Sequence, residues 1–174
     1  MTRRALLLLL VAGLLLLGGK RRGEYELKAA FLYQFAKGVT WPEAAFAGSP
    51  SFTIGVLGED PFEEDLEETV GGKSIGNRPI VFERFAELAL LRPCQLLFVA
   101  ESEADEVAEV VAKLRGLAVL TVGDEEDLAR RGLMVSFKTE SRKVRFEMNV
   151  AAIRAAGLEV SADLVDAATV VGSP

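Results

Sequence analysis

Three short apolar runs, separated by segments with helical periodicity, constrain the fold of this chain most strongly. The runs are Phe52–Leu57, Gln95–Ala100 and Ala118–Val122. A strand that is apolar at almost every position is buried on both faces, as in a parallel sheet covered by helices. Between the last two runs, Glu103–Leu114 has the apolar spacing of an amphipathic helix. The sequence therefore predicts an α/β fold, a three-layer sandwich around a mostly parallel central sheet.

Helix boundary signals place further helices around these strands. Asp60 before Pro61 is a plausible N-cap, and Gly38 can end the first helix. The predicted helices are Tyr25–Lys37, a helix from Pro61 to Gly71, a short helix from Asp124 to Gly132, a helix from Asn149 to Ala156 and a last helix from Ala162 to about Val170.

Strict alternation of apolar and polar residues appears late in the chain. The segments 133–138 and 143–148 both alternate and are separated by a polar turn, which is typical of an antiparallel hairpin with one buried face. Arg78–Phe85 also alternates and predicts a strand. We expect the hairpin to lie at one edge of the central sheet.

The first 23 residues are predicted to be a signal peptide, followed by a single domain over residues 24–174. Arg3 and Arg4 precede the 13-residue apolar run Ala5–Leu17, which is short for a membrane span and typical of a secretion signal. We expect cleavage between Gly18 and Glu24, and an uncleaved signal anchor is the alternative. In either case the folded part is expected in the periplasm.

Composition excludes several functional classes. The whole chain has a net charge of −6, but five basic residues lie in the first 23, so the remainder carries 15 basic and 26 acidic residues, a net charge of −11. So acidic a domain repels phosphate groups and is a poor nucleic-acid binder. The absence of histidine excludes Ser-His-Asp and Cys-His catalysis and histidine metal sites. The one cysteine, Cys94, cannot form an internal disulfide, and we expect no metal or cofactor.

Motifs spread along almost the whole chain after residue 23 resemble those of the YfiR family. In order, they are KAAFLYQFAKGVTWP, IGVLGEDPF, GKSIGNRPIVFERF, CQLLFVAES, VLTVGD, GLMVSF and VRFEMNVAAIRAAGLEVSADLVDAATVV. One departure from the family is that many members carry paired cysteines, whereas this chain has only Cys94. The resemblance therefore does not extend to control by disulfide state.

The resemblance implies a non-catalytic periplasmic regulator. Such a protein represses a membrane-bound diguanylate cyclase by binding its periplasmic sensor domain, and an outer-membrane, peptidoglycan-binding lipoprotein can sequester the repressor. Cyclic-di-GMP output and biofilm formation then follow the state of the envelope. The sequence leaves a homodimer open.

A ligand or partner pocket is expected at the carboxyl ends of the parallel strands, where α/β sheets commonly bind ligands. The candidate residues are Gly58, Asp60, Ser102, Gly123 and Asp124. The alternative is that Asp60, Ser102 and Asp124 are ordinary helix caps. A small-molecule receptor or enzyme that uses this pocket is the alternative to the regulatory function.

The first helix carries a second candidate surface. Tyr33, Gln34, Lys37 and Trp41 are expected to contact a partner, since aromatic residues are enriched at interfaces. The alternative places the aromatic residues in the core. With an exposed Trp41, a Trp41→Ala variant would keep its fold and lose affinity for the partner.

Lys28 falls inside the apolar arc of the first helix. Its ammonium either reaches water along its flexible stem or forms a buried ion pair. For the second case the predicted acids are Glu147, Asp163 and Asp166.

Overall fold

The computed structural model describes residues 23–172 as an α/β fold with ten strands and five α-helices among those residues. The helices are α1 (residues 23–38), α2 (Asp65–Val70), α3 (Val107–Leu114), α4 (Val150–Ala155) and α5 (Ala162–Ala167). The strands are β1 (Val39–Thr40), β2 (Phe52–Leu57), β3 (Ser74–Ile75), β4 (Arg78–Phe85), β5 (Leu96–Val99), β6 (Leu120–Gly123), β7 (Val135–Glu140), β8 (Lys143–Met148), β9 (Glu159–Val160) and β10 (Thr169–Val170). The predicted signal peptide lies outside the described residues, apart from Gly23.

The central sheet has eight strands in the order β10-β8-β7-β6-β5-β2-β4-β3. The strands β4, β2, β5, β6 and β7 run parallel to one another. The predicted hairpin is confirmed as β7 and β8, with Val135 opposite Met148. A second, two-stranded sheet pairs β1 with β9.

Alternate residues of the central strands fill two separate cores. In β5, Leu96 and Phe98 pack in the core that includes Leu32 and Phe35 of α1. Leu97 and Val99 point to the opposite face of the sheet. That second core contains residues of α3 and of the loops around it, among them Val107, Val110, Leu128 and Leu133. Helices therefore cover both faces of the sheet, as the apolar runs predicted.

Three predicted helices differ in extent from those observed. The helix expected from Pro61 begins only at Asp65, and the helix expected to reach Val170 ends at Ala167. Thr169 then pairs with Glu147, so that β10 adds a short parallel strand outside the hairpin. Before α3, Glu101–Glu106 is a 3-10 helix instead of an α-helix.

The short helix predicted after Asp124 is wrong. Residues 124–132 form a series of bends and turns, in which Asp127 has a φ of 67°. A left-handed residue interrupts a right-handed helix, so the hydrogen bonds from the Arg130 and Arg131 amides to the Asp127 carbonyl form isolated turns. By contrast, the predicted cap at Asn149 is confirmed, because its Oδ1 accepts a hydrogen bond from the Ala152 amide at 3.0 Å.

Within residues 23–172, no helix combines the length and the apolar character needed to cross a bilayer.

Candidate functional site

An acidic cleft lies at the carboxyl ends of β2, β5 and β6. These strands are parallel, so the segments that follow them meet at one edge of the sheet. The cleft has a volume of about 820 Å³. Its lining residues are Tyr25, Glu59, Asp60, Pro61, Phe62, Glu63, Asp65, Glu101, Ser102 and Asp124. The structure thus brings together three of the five predicted pocket residues, Asp60, Ser102 and Asp124.

Ser102 and Asp60 shape the loops of this cleft through local hydrogen bonds. The Ser102 hydroxyl accepts from the Glu59 amide at 3.0 Å, which joins the loop after β2 to the loop after β5. Asp60 accepts from the Phe62 amide at 2.9 Å and from Arg84 Nε at 2.7 Å. Neither side chain caps an α-helix, so the cap alternative is wrong for both.

The two predicted glycines permit close packing behind the cleft. Gly58 has a φ of 91°, and a Cβ there would lie 2.4 Å from the Ser102 hydroxyl oxygen. A Cβ on Gly123 would lie 2.6 Å from Leu128 Cδ1. Both distances are below any normal contact, so a side chain at either position would push a loop outward. These glycines support the cleft without lining it.

Asp124 is the centre of a buried polar network that ties α1 to the end of β6. Its Oδ1 accepts from Lys28 Nζ at 2.8 Å, and its Oδ2 accepts from the Tyr25 hydroxyl at 2.9 Å. Glu24 lies 2.6 Å from the same ammonium. Lys28 is only 3% exposed and Asp124 only 8% exposed. Asp124 is therefore no helix cap, and Lys28 forms the buried ion pair that was one of its two predicted states.

The prediction that Glu147, Asp163 or Asp166 pairs with Lys28 is wrong. Glu147 accepts instead from Arg130 Nη2 at 3.0 Å, and Asp163 and Asp166 lie on exposed positions of α5. The position of Tyr25 is a sequence signal for this network that the prediction did not use. Tyr25 lies one turn before Lys28 on the same side of α1, so both side chains can reach the same acid. A second cavity of about 540 Å³ lies beside the network and includes Lys28 and Asp124 in its lining.

Carboxylates dominate the charge of the 820 Å³ cleft. Six of its ten lining residues are acidic, and none of the ten is basic. Arg84, which is not in the lining, bridges Asp60 and Glu67 at 2.7 and 2.9 Å. The cleft is therefore suited to a cationic or hydrogen-bond-donating group. No cluster of residues arranged to hold a metal ion occurs in the part of the chain that the structure describes.

The exposed side of α1 presents polar and aromatic groups. Gln34 and Lys37 are exposed, and Tyr33 is half-buried. The Tyr33 ring lies 5.5 Å from Lys37 Nζ and 4.6 Å from Lys73 Nζ, which is cation–π geometry. This arrangement places two lysine charges around the Tyr33 ring at the carboxyl-terminal half of α1.

Trp41 is not part of that surface. Its side chain is buried, its Nε1 donates to the Gln95 carbonyl at 3.0 Å, and its ring meets Phe52 edge-on at 4.9 Å. The expectation of an exposed indole is therefore wrong. Trp41 instead fixes the position of the loop that follows it.

Cys94 is free and buried just before β5. Burial, together with the nearby charge of Glu83, raises the pKa of its thiol from 9.0 to about 12. The thiol therefore remains protonated and a poor nucleophile at neutral pH.

We expect the stability of the protein to fall with pH above about pH 9 because of Cys94. Between pH 9.0 and about 12 the unfolded chain loses a thiol proton that the folded protein keeps. Stability therefore falls as pH rises through this window, by at most about 1.4 kcal/mol per pH unit. Urea unfolding of the parent and of Cys94→Ala over this range measures the difference. Parallel pH profiles would contradict the raised pKa.

Comparison with known proteins places this fold in a family. The family model described as YfiR/HmsC-like matches residues 25–169, which is nearly the whole described region. None of the curated proteins compared with the chain matches it. The match begins in α1 at Tyr25, includes Lys28 and Asp124, and covers the central sheet except for Val170. The chain therefore belongs to the YfiR/HmsC-like family.

Proposed function

We propose that the domain represses a membrane-bound diguanylate cyclase by binding its periplasmic sensor domain, and so links envelope state to cyclic-di-GMP. The observation that carries this proposal is the family match over residues 25–169. At family level the chain is a periplasmic regulator of a diguanylate cyclase system, and the family is regulatory rather than catalytic. An outer-membrane, peptidoglycan-binding lipoprotein would be the second partner, which relieves repression.

The exposed side of α1 supports a role in this contact. Gln34 and Lys37 are available to solvent, and the Tyr33 ring adds apolar area that its neighbouring lysines hold in place. Little side-chain entropy is lost when such an ordered surface binds a partner. Trp41 contributes from beneath by holding the loop after α1.

The double variant Gln34→Ala/Lys37→Glu is expected to bind the sensor domain at least tenfold more weakly. The change removes an exposed hydrogen-bonding group and reverses a charge at the proposed contact. Titration calorimetry with the purified periplasmic domain of the cyclase gives the affinity. Glu26→Gln, at another exposed position of α1, is the matched control. Unchanged affinity of the double variant would reject this surface.

The regulatory function has its own test. Deletion of the gene should raise cellular cyclic-di-GMP, and restoring the parent gene should lower it again. A deletion that leaves cyclic-di-GMP unchanged, both at rest and under envelope stress, would overturn the proposal whatever surface is involved.

The acidic cleft favours a second candidate function, reception of a small cationic molecule. Its volume of about 820 Å³ is in the range of ligand sites, and its carboxylates suit a cationic group. A thermal-shift screen with small amines tests it, because a ligand that binds only the folded state raises the melting midpoint. Asp60→Asn should abolish such a shift.

A further inference from the structure

An apolar groove lies at the opposite edge of the sheet from the acidic cleft. It is built from the loop after Trp41, the segment before β5 and the end of α3 with the segment that leads into β6. Its volume is about 600 Å³. The residues that line it are Pro42, Ala44, Ala45, Ala47, Leu91, Arg92, Pro93, Cys94, Lys113, Leu114, Gly116, Leu117, Ala118, Val119 and Ala156.

A large apolar side chain is exposed in the lining of this groove. Leu117, in the lining, is 52% exposed, and Leu90, next to the lining residue Leu91, is 59% exposed. Among the described residues, the exposed large hydrophobic side chains range from 38% to 59% exposure, and Leu117 is the one that lines this groove. Exposed apolar side chains grouped at a concave surface are typical of a protein-binding site.

The charge at the groove is opposite to that of the domain. Arg92 and Lys113 are its charged lining residues, and both are cationic. Lys113 Nζ donates to the Leu88 carbonyl at 2.8 Å, so its charge is held in place at the groove without being neutralised by that contact. The Arg92 guanidinium forms an ion pair with the Glu83 carboxylate at 2.8 Å, but the Arg92 side chain is 70% exposed. A cationic apolar groove in a domain of net charge −11 selects an occupant that is apolar and acidic.

The same charges argue against a segment of this chain as the occupant. The first 22 residues contain a long apolar run, but all their charged side chains are basic. The cationic groove would repel these side chains, which are Arg3, Arg4, Lys20, Arg21 and Arg22.

We propose that this groove docks an acidic amphipathic segment of a protein partner. Apolar side chains of the segment lie against Leu91, Leu114 and Leu117, and its flanking carboxylates pair with Lys113 and Arg92. The proposal rests on the proposed function only in that a regulator requires protein partners. It concerns a surface separate from the exposed side of α1.

Two labelled synthetic peptides test the proposal. Both are amphipathic helices of about 16 residues with leucines on one face, and they differ only in whether glutamate or lysine flanks those leucines. By fluorescence anisotropy, the glutamate peptide should bind the domain at least tenfold more tightly than the lysine peptide. Equal binding of the two peptides, or no binding of the glutamate peptide, would overturn the proposal.

Variants locate the binding. Leu117→Ser and Lys113→Glu should each weaken binding of the glutamate peptide at least tenfold, and both positions are solvent-accessible enough to change without unfolding the domain. Leu27→Ser is the matched control, because Leu27 is 45% exposed on α1. An equal loss in Leu27→Ser would show that the peptide binds elsewhere. A dimer of the parent that Leu117→Ser dissociates would instead identify a second copy as the occupant.

Failure of the groove and failure of the regulatory function are distinguishable. A parent domain that binds the glutamate peptide but not the cyclase sensor domain overturns the regulatory proposal and supports the groove. A parent domain that binds the sensor domain but neither peptide overturns the groove alone.

Discussion

Asp124→Ala is expected to lower the free energy of unfolding by about 3 kcal/mol, because the buried Lys28 ammonium loses one of its two carboxylate partners. Lys28 would retain Glu24, whose side chain is 33% exposed and so a weaker partner in water. The Tyr25 hydroxyl would also lose its hydrogen bond to Asp124. Chemical denaturation of the parent and the variant measures the change.

Two further variants separate the buried network from ordinary surface charge. Glu67→Ala breaks a pair with Arg84 in which the side chains are 51% and 46% exposed, and should change stability by less than about 1 kcal/mol. The double variant Lys28→Met/Asp124→Leu should recover most of the loss, since it removes both buried charges. A loss below about 1 kcal/mol in Asp124→Ala would mean that the Lys28 ammonium reaches solvent.

Trp41→Ala is expected to destabilise the domain by about 3–5 kcal/mol, the range for truncation of a large buried aromatic side chain. It removes the edge-on contact with Phe52 and the hydrogen bond to the Gln95 carbonyl. The Gln95 side chain also accepts a hydrogen bond from the Thr53 amide and donates one to the Ala45 carbonyl, both at 2.7 Å. The loop after α1 therefore depends on the contacts of Trp41 and Gln95. Urea unfolding followed by circular dichroism measures the effect, since the variant has no tryptophan.

Trp41→Phe serves as the matched control. It keeps a ring against Phe52 but lacks the indole donor, so it should cost only about 1–2 kcal/mol. If Trp41→Ala is as stable as the parent, the indole is not buried in solution, and its original interpretation as a partner contact returns.

The sequence predicted the central sheet well because a strand that is buried on both faces is apolar at consecutive positions. Phe52–Leu57 contains no charged residue, and each of its six residues is buried. The alternation of apolar and polar residues in β7 and β8 similarly indicates one buried face. Asn149 caps α4 through a hydrogen bond from Ala152, only three residues away. All these signals operate over short distances along the chain.

The candidate site was less predictable because its interactions are not local. An aspartate after an apolar strand reads as a helix cap, and nothing near Asp124 in the sequence indicates that its partners lie in the first helix. Trp41 beside Pro42 reads as an exposed loop residue, yet Phe52 and Gln95 decide its burial. The strand β10 consists of two residues and pairs with β8 through tertiary context alone.

The separation between α1 and its partners has a consequence for folding. Tyr25 and Lys28 bond to a residue 99 and 96 positions later, and Phe31 packs on Phe137 and Phe146. Contacts between such distant residues must close long loops, which raises the contact order and slows folding. A chain that emerges amino end first can pack α1 against β5 early, but it cannot complete the burial of the apolar face of α1 until the hairpin β7–β8 has also emerged.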